Sequence, residues 1–309
     1  VTAAWSIAIL SSREAPETLA ETVRSALRAC AGRQATVDVV VNGNGALAVA
    51  AAGLAREAAP PGLALRVWDV PLGDKAHAWT HYLRDLWPGA DFAFFIDGYA
   101  AVRPDALTLI EAAITASPIA LAGTGVPSMG RSAAALREEM IRTGGLHGNL
   151  YALRGEVMRA LRGSGFRLPL GLYRTDPLLT STLCFNLDPA VHPWNWKHTA
   201  VAPEATWSFR PLAWHRPRDL LTQLRRMRRQ YQGELERHAY SHHLAVLKRR
   251  PEELADTAAG MVRDWMEVAP EDAERRFRRN PLLRLSARQL LGQRRDWSAA
   301  AEPARLVAG

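Results

Sequence analysis

The first half of the chain alternates between two hydrophobic periods. Short apolar runs, Trp5 to Leu10, Val37 to Val41, Leu65 to Val70 and Phe92 to Ile96, read as buried strands. Between them, apolar residues recur at helical spacing, as in Leu19, Val23, Ala26 and Leu27 after Pro16. An Ala-rich helix follows the turn Asn42, Gly43, Asn44, Gly45 and closes near Pro60, and another runs from about Lys75 to Leu86. Strands alternating with helices predict an α/β fold with a mostly parallel sheet flanked by helices.

Ile119 to Val126 adds a further strand, and then the pattern loosens. A Gly-rich segment (Gly144, Gly145, Gly148), a strand at Leu183 to Leu187 and a Trp/His/Pro-rich stretch from His192 to His215 follow in order. Irregular, aromatic-rich segments after a regular half commonly build the substrate side of a site. From Arg218 to about Arg237 the chain reads as a strongly basic helix, and from Pro251 onward as amphipathic helices with a polar tail. No internal repeat is visible. The expected organisation is a domain over 1–237 and a helical C-terminal extension over 238–309.

Composition narrows this picture in three ways. A chain of 309 residues that is 48% hydrophobic has ample material for a packed core, which excludes extensive disorder. The formal charge of +8 favours an anionic partner: nucleotide phosphates, a phospholipid surface or nucleic acid. Nucleic acid ranks last because no reading motif accompanies the basic helix. The cysteines, Cys30 at a helix end and Cys184 in the strand at 183–187, lack metal-ligand spacing and read as buried thiols in a reducing compartment. The run Ala46 to Ala55 is too short to cross a bilayer, and Glu111 and Pro118 break the stretch from Ala106 to Val126. The N-terminus has no basic region before its apolar run, unlike a signal peptide, although it opens on Val1 instead of Met. The expected location is cytoplasmic, with peripheral contact to the inner membrane face through the basic C-terminal helices.

Ligands of such sheets bind beyond the carboxyl ends of the strands, here Ser11 and Ser12, Asn42 to Asn44, Pro71 to Lys75, and Asp97. The sharpest of these is DFAFFIDGYAAVRPDAL, from Asp91 to Leu107, where an apolar strand delivers Asp97 to its end. A carboxylate there holds a metal or a ribose hydroxyl, or simply caps a turn.

This segment resembles glycosyltransferase family 2, whose fourth strand ends in a DxD-like motif followed by a helix of the "rpdaL" kind. The resemblance implies a GT-A-like, Rossmann-type fold and transfer of a sugar from a UDP- or GDP-type nucleotide donor to an acceptor hydroxyl with inversion. Asp97, Gly98, Tyr99 occupies the motif, with Tyr99 in place of the last Asp, the usual metal contact. The implied cofactor is Mn or Mg, held by Asp97 and His215, with the carboxylate count reduced by Tyr99. Lys75 in GDKAHAW falls where the family faces the nucleotide, and Ser11 and Asn42 fall where it grips the base. GGLHGNLYALRGEVMRAL, Gly144 to Leu161, resembles the segment approaching donor sugar and acceptor, with His147, Asn149 and Tyr99 as substrate contacts. LPLGLYRTDPLLTSTL, Leu168 to Leu183, takes the place of the "ED" motif, with Thr175 where the Glu stands. Asp176 is then the candidate general base, and also a good N-cap before Pro177. Gln223, Arg226, Arg229 and Gln230 stand where a QxxRW-like helix does, and share one helical face from which Arg226 and Arg229 reach a diphosphate.

Two other readings compete. A sugar-phosphate nucleotidyltransferase would carry a Gly-rich loop after the first strand, and Leu10, Ser11, Ser12, Arg13, Glu14 lacks the glycines. A non-catalytic protein that binds a nucleotide sugar or glycan would tolerate the losses at Tyr99 and Thr175.

Overall fold

The computed structural model describes residues 4–56, 62–130, 133–209 and 217–309, excepting the side chains of 54–56 and 217–228. The apolar runs form strands β1 (Trp5–Ser11), β2 (Ala35–Asn42), β3 (Leu63–Val70) and β4 (Phe92–Asp97). Every residue of β1 is buried, as expected of a strand covered on both faces. Between these strands lie α1 (Pro16–Ala29), α2 (Gly45–Arg56) and α3 (Lys75–His81), and α3 passes directly into a π turn at Tyr82–Leu86. Next come β5 (Ala101–Val102), α4 (Ala106–Thr115), β6 (Ala122–Pro127), α5 (Ala133–Thr143), β7 (Leu150–Arg154), α6 (Gly155–Gly163), α7 (Thr175–Cys184) and β8 (Thr199–Ser208). The chain continues through α8 (Pro217–Ser241), α9 (Ala258–Val268), α10 (Pro270–Arg279), α11 (Pro281–Gly292) and β9 (Arg305–Ala308).

All nine described strands join one sheet in the order β5-β8-β6-β7-β4-β1-β2-β3-β9. β1 to β4 run parallel, and β6 and β8 share their direction, because β7 lies antiparallel between β4 and β6. Alternation along each strand feeds two cores. Ile7 and Ile9 point to the face covered by α1, α2 and α4, whereas Ala8 and Leu10 point to the face covered by α3, α6 and α7. On that second face Phe95 stacks between Trp79, at 5.5 Å, and Tyr151, at 4.9 Å between ring centroids. Removing a buried aromatic of this kind costs about 3–5 kcal/mol. Leu235, Tyr240, Trp265, Phe277 and Leu290 belong to the same core, so the C-terminal helices share their apolar interior with the sheet. The expected boundary at 237/238 falls inside α8.

Two expectations are corrected. The apolar run at 183–187 is not a strand: α7 extends to Cys184, and Asn186 and Leu187 then adopt left-handed φ of 48° and 67° that end it. Thr175, Leu178, Leu179, Thr182, Leu183 and Cys184 are its buried positions, a helical spacing that overrides the β-like look of a short apolar run. Cys184 therefore closes a helix. Both cysteines are buried free thiols, and burial pushes each up to about 12. The polar tail is likewise partly a strand, since β9 pairs antiparallel with β3. An open edge strand exposes a row of unpaired amides and carbonyls, which β9 covers. Among the described residues no helix is long and apolar enough to cross a membrane.

Candidate functional site

The carboxyl ends of β1, β2 and β4 meet at a floor stitched by side chains. Asn42 Nδ2 donates to the Ser11 carbonyl at 2.7 Å, and Asn44 Nδ2 donates to the Ser12 carbonyl at 2.8 Å. Ser11 Oγ donates to Glu14 Oε2 at 2.6 Å, and the Ser12 and Arg13 amides donate to the same oxygen. Ser11 and Asn42 thus build the floor, with their polar atoms turned to the protein. Gly98 follows Asp97 and folds back onto β1, where a Cβ would stand 2.7 Å from the Ser11 Cβ. Gly43, at φ +65°, lies so close to Gly73 that a Cβ would meet its Cα at 2.3 Å, which packs the loops after β2 and β3 together.

Lys75 opens α3, and its ammonium donates to Asp97 Oδ1. The Tyr99 hydroxyl sits 3.1 Å from Asp97 Oδ2 and 3.0 Å from Asn149 Oδ1. Asp176 comes to the same place from the other half of the chain. Gly148 marks the meeting point, because a Cβ there would lie 3.4 Å from both Asp176 Oδ1 and Lys75 Nζ. Burial works against the Lys75 ammonium, but the Asp97 and Asp176 carboxylates, with Glu14 further off, outweigh it and raise its pKa. Burial raises Asp97 against the pull of Lys75. Tyr151 accepts from Trp79 Nε1 at 2.7 Å. Burial and the neighbouring carboxylates hold its hydroxyl protonated, well above the usual tyrosine range.

Asp176 is not the N-cap that its Pro177 neighbour led the sequence to predict. α7 starts two residues earlier than that, at Thr175, and its N-cap position is Arg174. The carboxylate is therefore free of capping and faces Gly148 and Lys75. His147 accepts the Asn149 amide at Nδ1, at 3.2 Å, and lays its ring 4.6 Å from Trp207. Tyr99 meets Phe209 edge-on at 6.3 Å, and Phe209 stacks on Trp207 at 6.0 Å, so an aromatic wall stands beside the carboxylates. Arg229 lies over the Tyr173 ring at 5.9 Å, three residues before Asp176. His215 and the side chain of Arg226 lie outside the described residues.

Four acids were not singled out from sequence. Asp69, near the end of β3, has Oδ2 3.4 Å from where a Gly45 Cβ would be, at the start of α2. Glu14 lies within the field of Lys75. Asp74 caps α3 by accepting the His77 amide at 2.9 Å, and also accepts the Gly171 amide at 3.0 Å. Glu236, 1% exposed on α8, accepts the Tyr173 amide at 3.0 Å. Asp69 and Glu14, beside strand ends, and Asp74, inside the stretch Pro71 to Lys75, carried a positional signal, and Glu236 carried none.

No family model matches the sequence, and no curated protein matches it. Solved structures do match the fold. A mannosyltransferase from Pyrobaculum calidifontis, in complex with GDP-Man and Mn2+, superposes with a TM-score of 0.59 at 15% identity, over 97% of this chain and 86% of that one. TarS 1-349 of S. aureus in complex with UDP gives 0.49 at 15% identity over 93% and 90%. Glucosyl-3-phosphoglycerate synthase of Mycobacterium tuberculosis, in complex with Mn2+, UDP-glucose and glycerol 3-phosphate, gives 0.48 at 14% identity over 74% and 78%. The sheet and its flanking helices have the architecture of the GT-A glycosyltransferase fold.

Proposed function

We propose that the chain is an inverting glycosyltransferase that moves a sugar from a nucleoside-diphosphate sugar to an acceptor hydroxyl, with Asp176 as general base. The observation that carries this reading is the convergence of Lys75, Asp97 and Asp176 around Gly148, which places no side chain between Lys75 and Asp176. The acceptor oxygen attacks the anomeric carbon from one side while the bond to the diphosphate breaks on the other. The diphosphate leaves with the electron pair, and the hydroxyl proton passes to the Asp176 carboxylate. Lys75, kept charged by its carboxylates, supplies cation to the nucleotide side, and Tyr99, His147 and Asn149 line the sugar side. In this reading 1–237 is the catalytic domain, 238–309 the extension that buttresses it, and the family is glycosyltransferase family 2.

Glu14, Asp97 and Asp176 outnumber Lys75, so a diphosphate needs further positive charge. Arg226 and Arg229 on α8 are the protein's candidates. Among the described residues no three His, Cys, Asp or Glu side chains are grouped to hold a metal. A Mg or Mn ion bound through one carboxylate and the diphosphate oxygens needs fewer, and Asp97 is the residue that would hold it. Such an ion would neutralise the leaving diphosphate. Peripheral contact with an anionic membrane face rests on α10 and α11, where Leu282 and Leu285 are exposed beside Arg278 and Arg279.

Thermal stabilisation by UDP, GDP, dTDP and ADP, with and without Mn or Mg, tests the reading, because a ligand of the native state raises its stability. A saturable shift with one nucleotide, followed by hydrolysis or transfer of the matching sugar, supports it. Binding without turnover would return the assignment to a non-catalytic binder, and no binding at all would reject it.

A further inference from the structure

The loop before α7 leads to Asp176 outside the sheet, with Leu168 and Leu172 anchored in the core. Its backbone is held by side chains from distant parts of the chain. Asp74 accepts the Gly171 amide at 3.0 Å, and Gln232 Nε2 donates to the Gly171 carbonyl at 3.3 Å. Two residues on, Glu236 takes the Tyr173 amide with both oxygens, at 3.1 and 3.0 Å, and the Arg174 amide also bonds to it. Gln232 Nε2 donates to Glu236 Oε1 at 2.7 Å, one helical turn away on α8, which fixes the carboxyl group's rotamer. Close packing completes the grip: a Cβ at Gly233 would meet Arg174 Cδ at 3.1 Å and Tyr173 Cδ1 at 3.2 Å, so α8 lies against these two side chains. From the other side, Leu170 exchanges backbone hydrogen bonds with Asp256 and Ala258, at 2.8 and 2.9 Å.

A carboxyl group this deeply buried is costly unless its hydrogen bonds are needed, and burial pushes Glu236 up to about 8. Nothing in the proposed chemistry uses it directly. We infer that Glu236 is a positioning residue: its carboxyl group fixes the Tyr173–Arg174 backbone from α8 and so sets the approach of Asp176 to Gly148 and Lys75. The basic helix thereby does more than offer cations to a diphosphate, since it also aligns the base. This inference rests on Asp176 acting as the base, but the hold on the loop is observable without any turnover.

The test compares Glu236→Ala, Glu236→Gln and Asp176→Asn with the wild type, using hydrolysis of GDP-mannose and UDP-glucose together with amide hydrogen exchange over 170–176. Misplacing a catalytic group by about 1 Å costs up to roughly 100-fold. Glu236→Ala is expected to lower kcat about 10- to 100-fold with the donor KM within about threefold, and to speed exchange of the Tyr173 and Arg174 amides at least tenfold. Glu236→Gln keeps an acceptor oxygen and is expected to restore both readouts to within about threefold of wild type. Wild-type protection of those amides in Glu236→Ala would overturn the inference, as would unchanged kcat beside an inactive Asp176→Asn. Equal losses in the Ala and Gln variants would overturn it too, because charge and not placement would then matter. Should Glu236→Ala not accumulate as folded protein, Glu236→Asp, one methylene shorter, replaces it under the same expectations. Activity retained by Asp176→Asn would instead reject the assignment of the base, and leave the exchange result to judge the hold on the loop.

Discussion

The two halves of the site are held by different physics. Asp97 is fixed by β4, whose register against β1 aligns Leu10 with Asp97 and buries both strands. Asp176 stands in the first turn of α7, after a loop whose backbone hydrogen bonds include ones to Asp74, Gln232 and Glu236. A sheet places residues through many equivalent bonds, so a single substitution rarely moves it. This loop adds to its buried Leu168 and Leu172 a few polar fixings from distant side chains, and each of those bears more of the local placement. The nucleotide side is therefore robust and the base side adjustable.

Four substitutions sharpen this contrast, in falling order of effect. Asp176→Asn removes the proposed proton acceptor without changing the loop's fixings, and kcat should drop about 10²- to 10⁴-fold with nucleotide affinity nearly intact. Steady-state kinetics and calorimetric titration with the donor nucleotide check the two parts separately. Lys75→Met leaves the buried Asp97 carboxylate without its cation, at a cost of about 1–3 kcal/mol once the partial exposure of Lys75 is allowed for. Urea unfolding reads that cost, and nucleotide affinity should weaken in the same variant. Gly98→Ala presses a methyl group into Ser11 and should cost about 1–3 kcal/mol, with the loss falling on the β1–β4 end and not on Asp176.

Per pH unit, the smallest effect is a slope. Glu236 has its carboxyl pKa raised from 4.5 to about 8, so between those values the folded state keeps a proton that the unfolded state has released. Its stabilising contribution is complete below the lower value and gone above the upper one. Stability should therefore fall across that window by at most about 1.4 kcal/mol per pH unit from this group. Glu236→Gln should remove that part of the fall, which melting temperatures from pH 5 to pH 8 would record. A wild-type slope in the Gln variant would mean that Glu236 is ionised throughout.

What was legible from sequence follows the same division. The run ending in Asp97 is apolar for its whole length, so both the strand and its terminal carboxylate could be located, and Lys75 followed from its place after the third strand. Asp176 was singled out as the candidate base through the family resemblance, but its local signal was that of an N-cap, because Asp-Pro normally marks a helix start and nothing local shows the helix beginning at Thr175. Glu236 could not be found at all. In Gly233, Glu234, Leu235, Glu236, Arg237 it looks like any acid of a solvated helix, and only its packing against Tyr173 separates it from the half-exposed Glu234. The β9 strand was hidden because four residues carry too little periodicity, and their pairing partner lies far away in sequence.

That separation has a temporal meaning. Trp68 on β3 pairs with Leu306 on β9, over two hundred residues later. At synthesis rates of about 5–20 residues per second, the β3 edge emerges from the ribosome roughly 10–50 seconds before its partner does. For that interval the nascent chain presents an unpaired strand next to a nearly finished parallel sheet, a template for another chain to join. Yield during expression should thus respond to translation speed and to trigger-factor-like chaperones, even in variants whose finished fold is fully stable.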